Sequence, residues 1–357
     1  MESLTKSASR LLAEPYLNGT GRPSLRPVGI LGVGSHAPAR VIGNQELERI
    51  VETTDEWIVS RTGIRQRHIA APGETTYGLG VEAGRRALLQ AGIEPEELDL
   101  VIVATVTPDY PFPATASLVQ HHVGATRAAA FDLGAACSGF IYALAVATQF
   151  VQTGFYRRIL VVGAERISRI VNWTDRGTCV LFGDGAGAAV VGPVAAGAGF
   201  FSFDLGSDGS GAELLVVKGG GQGHPEVTGG DGALPESIRM SGSEVFKFAV
   251  RVMDESTRRV LDRAGLQISD VDLLVPHQAN SRIIEAAAKR LGMPQERVFS
   301  NVDQYGNTSA ASIPIALAEA VEQERLRPGH TLALVGFGAG LSWAASVLRW
   351  TGPEGAA

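Results

Sequence analysis

The chain has 357 residues, 45% hydrophobic and 19% charged, with 44 glycines and a formal net charge of −6. This is a globular composition, long enough for one large core or two fused ones. Its acidity argues against a general nucleic-acid binder, whose phosphate-facing surface needs clustered Lys and Arg.

Residues 1–27 have no apolar core and carry Glu2 and Glu14, so they read as a mobile terminal extension and not as a secretory signal. No segment reaches the roughly 18 apolar residues expected of a membrane span. The cysteines, Cys137 and Cys179, make no disulfide framework and no metal spacing. A reduced, cytoplasmic compartment is expected.

From Val28 onward, short apolar strands alternate with helices. "LVIVATV" (100–106) reads as a strand, "SLVQHHVG" (117–124) as a helix and "AAAFDLG" (128–134) as a strand. "CSGFIYALAVATQFV" (137–151) is an apolar helix, and "RILVVGAE" (158–165) closes the unit. The same order returns in "LLVP" (273–276), "SRIIEAAAKRLG" (281–292), "VFSNVD" (298–303), "SAASIPIALAEAVEQE" (309–324) and "TLALVGFG" (331–338). Such alternation implies buried sheets covered by helices. Residues 207–239 interrupt it with a Gly-rich stretch, longest over 217–236, which reads either as a lid or as an ordinary exposed loop.

The chain also resembles itself. "RRALLQAGIEPEELDL" (85–100) aligns with "RRVLDRAGLQISDVDL" (258–273) at an offset of 173, which returns where "YALAVA" (142–147) meets "IALAEA" (315–320). A repeat this long is no solenoid unit. Two duplicated α/β halves, 28–200 and 201–357, packed as one body are expected.

Cys137 sits in "FDLGAACSGF" at a strand-to-helix transition. A helix N-terminus favours the thiolate, yet a small Ala-rich site also suits a buried, inert cysteine. Cys179, in "RGTCVLFGDGAG", reads as mid-strand and structural. The repeat sets Ala310 of "YGNTSAAS" opposite Cys137, places Asn307 just before the mirrored helix start, and puts His277 of "LLVPHQAN" opposite Ala104. A Cys, a His and an Asn on convergent loops suit chemistry on a thioester: the sulfur attacks the carbonyl, and neutral His and Asn donate to developing negative charge. The glycines of "GFGAG" (336–340) let a backbone N–H approach closely.

The motifs "DEWIVSRTGIRQRHIA", "AACSGF", "DRGT", "FGDGAGA", "VPHQAN", "YGNTSAAS" and "GFGAGLSWA", in this order, resemble the β-ketoacyl-acyl-carrier-protein synthase III family of the thiolase superfamily. The resemblance runs from about Val28 to Trp350. It implies a thiolase-like duplicated αβαβα five-layer fold, a homodimer, an acyl-CoA primer and malonyl-acyl carrier protein as substrates, and neither cofactor nor metal. It implies Cys137 as the acyl acceptor, His277 and Asn307 as promoters of decarboxylation, and the N–H groups of Cys137 and Ala339 as the oxyanion hole. Trp57 and Arg176 match a pair that sandwiches the adenine of coenzyme A, with Thr53 and Arg61 lining the same entrance. Phe112 matches a residue that closes the partner's acyl pocket. Lys247, Arg282, Lys289 and Arg290 match positions that dock the acidic carrier protein, a local patch that an acidic enzyme needs for an acidic partner. Ala339 and Leu341 depart from the family's usual glycine run. A thiolase would carry a second cysteine near that motif, and a hydroxymethylglutaryl-CoA synthase would carry a glutamate near "FPAT"; the chain has neither. Initiation of fatty acid biosynthesis is the leading reading. A polyketide-priming or acyl-transferring homologue and a non-catalytic carrier-binding subunit are the alternatives.

Overall fold

The computed structural model describes residues 25–217 and 237–352. The expectations for residues 1–24 and for nearly all of the 217–236 stretch lie outside the described residues.

The first half supplies β1 (Val28–His36), the short β2 (Val41–Gly43) and β3 (Gln66–His68), then β4 (Leu100–Ala104), β5 (Ala129–Leu133), β6 (Ile159–Arg166) and β7 (Asp184–Pro193). Its sheet runs β1-β7-β6-β4-β5, parallel in β6-β4-β5 and antiparallel around β7. The second half supplies β8 (Gly199–Ser207), the short β9 (Leu215–Val216) and β10 (Arg239–Met240), then β11 (Leu273–Pro276), β12 (Thr331–Gly338) and β13 (Ser342–Arg349). Its sheet runs β8-β13-β12-β11. These strands match β1, β7, β6 and β4 in order and direction. "VFSNVD" does not form a full strand: a single parallel bridge, Leu274 to Val298, stands where β5 stands in the first sheet.

Helices of eight residues or more are α1 (Asp55–Thr62), α2 (Thr76–Ala91), α3 (Thr115–Val123), α4 (Gly139–Gln152), α5 (Gly242–Ala264), α6 (Ser281–Leu291) and α7 (Ser312–Glu322). Helices α4 and α7 lie between the two sheets, α2 and α3 cover the outer face of the first, and α5 and α6 cover that of the second. The result is five layers, αβαβα.

The period-2 geometry of a strand explains how both faces of β4 are used. Leu100, Ile102 and Ala104 face the central core with Phe140, Ile141, Val275 and Ile313, whereas Val101 and Val103 face the outer core with Leu79 and Val119. Each fully buried Val, Leu or Ile contributes about 1.5–3 kcal/mol, an upper figure against a collapsed unfolded chain. That is why these strands read as unbroken apolar runs and not as alternating ones.

The internal repeat is visible in detail. Gly92 and Gly265 end α2 and α5 in the left-handed conformation, with φ of 62° and 68°. One-turn helices follow at Pro95–Glu97 and Ile268–Asp270. Further along, Ala136–Ser138 leads into α4 as Ser309–Ala311 leads into α7. Ala136 and Ser309, themselves 173 apart, both take positive φ, 46° and 50°. A non-glycine residue there is strained, so the same tight turn is held at both central helix starts.

The excursion after β8 is anchored at its ends. Leu215 pairs with Met240 and Val216 with Arg239, an antiparallel ladder that the Gly-rich sequence did not indicate.

Candidate active site

Cys137 lies in the 3-10 turn just ahead of α4 and is buried, with 7% exposure. The left-handed Ala136 presents it, and two glycines make room. A Cβ on Gly338 would meet the Cys137 nitrogen at 2.7 Å, and one on Gly139 would meet the Ala104 Cβ at 3.2 Å. The "GFG" run is therefore a close approach of β12 to the nucleophile turn, so its glycines are packing requirements. Ser342 fastens the two segments. Its hydroxyl lies 2.8 Å from Ser138 Oγ, and its single proton has the carbonyls of Ala339 (2.9 Å) and Ala135 (3.2 Å) within reach as acceptors. The candidate oxyanion donors Cys137 N and Ala339 N thus sit on one cross-linked pair of turns.

The expectation of a thiolate meets an opposing force. Burial pushes the Cys137 thiol up to about 12, against the pull of the Ser309 hydrogen bond. The helix start favours negative charge, but a dry pocket disfavours it more strongly. The resting group is a thiol, and its proton must leave as the sulfur attacks.

His277 follows β11 and is 1% exposed. Burial depresses its basicity to about 3, so the ring is neutral. Its Nδ1 is 2.6 Å from Ser312 Oγ, and the ring stands edge-on to Phe337 with centroids 5.3 Å apart. The Gln278 N–H also donates to Ser312 Oγ, at 3.4 Å. With one lone pair so occupied, the hydroxyl proton is available for Nδ1, the arrangement that leaves Nε2 carrying a proton for the cavity. Asn307 is held by its backbone: its N–H donates to Leu181 O and its carbonyl accepts from Gly183 N. Its Oδ1 accepts from Ser309 N at 2.9 Å, which leaves the Nδ2 amide as the donating end.

Cys137, His277 and Asn307 line one cavity of roughly 690 Å³. Apolar Leu181, Phe182, Met240 and Ile283 form its walls, and Trp57, Arg61, Lys247 and Arg282 stand at its more exposed end. Charge at the mouth and neutral donors at the floor suit a long substrate with a charged head and a reactive thioester tip. Arg176 lies directly over the Trp57 ring, 4.8 Å from its centroid, and Arg61 lies 5.8 Å away. A planar base between Trp57 and Arg176 requires the guanidinium, which also donates to Glu52 O at 3.0 Å, to swing aside. Thr53 does not line the cavity; its buried hydroxyl has no hydrogen-bond partner among the described residues.

The basic residues divide. Lys247, Arg282 and Lys289 are exposed. Lys247 pairs with Glu244 at 2.8 Å, and Arg282 lies over Phe246. Arg290 is bound instead to Asp254 at 2.8 Å, a nearly buried acid that also holds Arg258. Phe112 is 85% exposed. Cys179 is buried, as expected, but it ends the one-turn helix Arg176–Cys179 and is not mid-strand. Asp109, the last acid before "FPAT", caps α2 by accepting from Thr76 N and Tyr77 N.

Sequence reasoning left four residues at this site without a role: Ser309, Ser312, Ser342 and Glu165. The three serines lay in quoted motifs. Glu165 gave one signal, an acid ending the apolar strand "RILVVGAE".

A duplicated five-layer α/β body with a buried cysteine at a central helix start defines a thiolase-fold condensing acyltransferase. Family models agree: 3-oxoacyl-[acyl-carrier-protein] synthase III matches residues 131–209, and its C-terminal counterpart matches residues 261–350. The chain is 56% identical over 324 residues to β-ketoacyl-[acyl-carrier-protein] synthase III of Desulfitobacterium hafniense, covering 91% of this chain and 98% of that one. Among solved structures, the Thermus thermophilus β-ketoacyl-[acyl-carrier-protein] synthase III is 52% identical with a TM-score of 0.85, over 90% of this chain and 99% of that one. The priming β-ketosynthase of the R1128 polyketide biosynthetic pathway is 40% identical with a TM-score of 0.87, over 94% and 100%. The chain belongs to the β-ketoacyl-acyl-carrier-protein synthase III family.

Proposed function

We propose that Cys137 accepts an acyl group from an acyl-CoA primer and passes it to the enolate of malonyl-acyl carrier protein, giving a 3-oxoacyl-acyl carrier protein. The observation that carries this reading is the meeting of Cys137, neutral His277 and the Asn307 amide in one cavity with a cationic mouth. The Cys137 sulfur attacks the primer carbonyl, and the N–H groups of Cys137 and Ala339 hold the oxyanion until coenzyme A leaves. Malonyl carrier protein then enters. Its thioester oxygen takes hydrogen bonds from His277 Nε2 and Asn307 Nδ2, which stabilise the enolate as carbon dioxide departs. The enolate carbon attacks the acyl-cysteine. Loss of carbon dioxide supplies the carbanion, so neutral donors suffice and no strong base is required. These steps use side chains and backbone donors throughout.

Trp57, Arg61 and Arg176 hold the coenzyme A head, with Arg176 opening from Trp57 to admit the adenine. Lys247, Arg282 and Lys289 receive the acidic carrier protein; Arg290 supports them by fixing α6 to α5 through Asp254. The junction between the two halves falls between β7, which ends at Pro193, and β8, which begins at Gly199 and belongs to the second sheet, so the expected boundary at 200/201 cuts into β8. Strand β5 is an edge strand, paired only with β4 among the described residues and less buried than it, which suits pairing with a second copy. Exposed Phe112 then reaches the partner's acyl pocket. Among the described residues no helix is long and apolar enough to cross a membrane, and we assign the enzyme to the cytoplasm. Fatty acid initiation is the favoured pathway, on the names of the most similar curated relatives; the likeness to a polyketide priming enzyme keeps a specialised primer as the second reading.

A mass measurement tests the scheme. Wild-type protein incubated with acetyl-CoA is expected to gain one acetyl group on Cys137, and Cys137→Ala none. Asn307→Ala is expected to keep acylation and lose condensation by about 10²–10³-fold. Equal loss of both steps would remove the division of roles. A panel of acyl-CoA primers scored by product mass separates the two pathways.

A further inference from the structure

A chain of three side chains runs from the nucleophile into the protein interior. The Cys137 thiol donates to Ser309 Oγ at 3.5 Å, and Ser309 Oγ donates to Glu165 Oε1 at 3.0 Å. Glu165 is the seventh residue of β6 and is fully buried. Its remaining partners are all donors: Thr107 Oγ1 at 2.5 Å, Thr105 Oγ1 at 3.2 Å and the Val106 N–H at 3.2 Å. A carboxyl group surrounded only by donors is built to be an acceptor. It forms no ion pair among the described residues, so neutralising a cation does not explain it. The ionisable groups around it are Cys137 beyond Ser309, Arg166 next along β6, and Asp184, opposite Arg166 on β7. His277 lies farther off in the same cavity.

We propose that Ser309 and Glu165 form a proton relay for Cys137, with Ser309 as a catalytic residue and Glu165 as a positioning and proton-storing residue acting through it. In acylation, the Cys137 sulfur forms its bond to the primer carbonyl carbon while its proton passes to Ser309 Oγ. The Ser309 hydroxyl proton passes to the Glu165 carboxylate. The tetrahedral intermediate then expels coenzyme A as its thiolate, which takes a proton from solvent. Glu165 stays protonated for the life of the acyl-enzyme. In condensation, the enolate carbon bonds to the acyl carbon, the carbon–sulfur bond to Cys137 breaks, and the stored proton returns through Ser309 to the sulfur.

Two observations favour this route over His277. The histidine Nδ1 is engaged by Ser312, and burial leaves the ring a poor base at about 3. Burial raises Glu165 to about 7, close to the basicity that suits a proton acceptor near neutral pH. The left-handed backbone of Ser309 serves both arms of the site at once: its N–H fixes Asn307 and its hydroxyl fixes Cys137.

The proposal rests on Cys137 as the acyl acceptor, and the experiment separates the two. Single-turnover acetylation of Cys137 by acetyl-CoA is followed by mass from pH 5.5 to 9.5 in wild type, Ser309→Ala and Glu165→Gln. The wild-type rate is expected to rise through about pH 7 and then level off. Both variants should acylate about 10²-fold more slowly at pH 7, with a rate that climbs about tenfold per pH unit because hydroxide must now take the proton. Ser309→Gly, suited to the left-handed backbone, replaces Ser309→Ala if that protein does not fold. A wild-type pH profile in both relay variants overturns the relay, and so does a loss of equal size at every pH. Absence of a Cys137 adduct in wild type overturns the relay and the nucleophile together.

Discussion

The starts of α4 and α7 share a backbone and differ in chemistry. Each follows a strained left-handed residue, Ala136 in one half and Ser309 in the other, and each lies against a glycine-bearing strand of the opposing sheet architecture. A Cβ on Gly163 of β6 would strike the Ala310 carbonyl at 2.3 Å, as one on Gly338 of β12 would strike Cys137 N. The first turn carries the sulfur. The second carries alanine at the matching place, but supplies the Asn307 anchor, the Ser309 hydroxyl and, one turn later, the Ser312 hydroxyl that orients His277. Duplication made two identical perches; function came from making them unlike. One half attacks, and the other manages protons and negative charge.

Moving the nucleophile to the other helix start separates backbone from chemistry. The double variant Cys137→Ala/Ala310→Cys keeps a cysteine on an equivalent backbone, yet faces it away from its partners. Condensation should fall by roughly 10⁴-fold or more, since the groups act as a unit. Substantial product from the swapped protein would show that the perch alone suffices.

A smaller effect is expected from Ser342→Ala. Ser342 ties the Cys137 turn to the Ala339 turn, so its loss should lower kcat about tenfold with KM little changed, as for weakened transition-state stabilisation. A change confined to KM would show that Ser342 serves substrate binding instead.

The two halves also titrate in opposite senses. His277 has a lowered folded value of about 3 against 6.5. The unfolded chain therefore binds the extra proton first, and stability falls as pH drops from about 6.5 towards 3. Glu165 is raised to about 7 from 4.5, so the folded state binds the extra proton and stability falls as pH rises through that window. The two slopes oppose each other between about 4.5 and 6.5. Urea midpoints for wild type and His277→Gln should therefore diverge with pH by up to one proton per molecule. A pH-independent difference would mean that His277 titrates in the folded protein as it does in the unfolded chain.

The smallest expected effect belongs to Arg290→Ala. Its guanidinium holds Asp254, so the variant should lose about 1 kcal/mol of stability and leave KM for the carrier protein nearly unchanged. Lys289→Glu, on the same helix, should raise that KM about tenfold. Equal KM effects would return Arg290 to the docking surface.

Much of this molecule was legible in its sequence, for particular reasons. Buried strands and central helices must be apolar on every face, so β4, β6, α4 and α7 stand out as unbroken runs. A duplicated fold leaves an offset, and the offset of 173 located Asn307 and His277 relative to Cys137. The weak strand at Val298, the ladder joining Leu215 to Met240 and the short helix at Cys179 were not legible, because each is fixed by a few long-range hydrogen bonds and not by a local pattern.

The two-half α/β plan, the family resemblance, and the cysteine, histidine and asparagine at the centre follow from residue type and order alone. Burial of the Cys137 thiol, the tie of Arg290 to Asp254 and the place of Glu165 behind Ser309 come from packing. The reason is physical. Residue type and spacing set which groups a chain carries, while desolvation and hydrogen-bond partnership depend on packing between residues 35, 36 or 144 positions apart, as His277 and Ser312, Arg290 and Asp254, and Ser309 and Glu165 show in this chain.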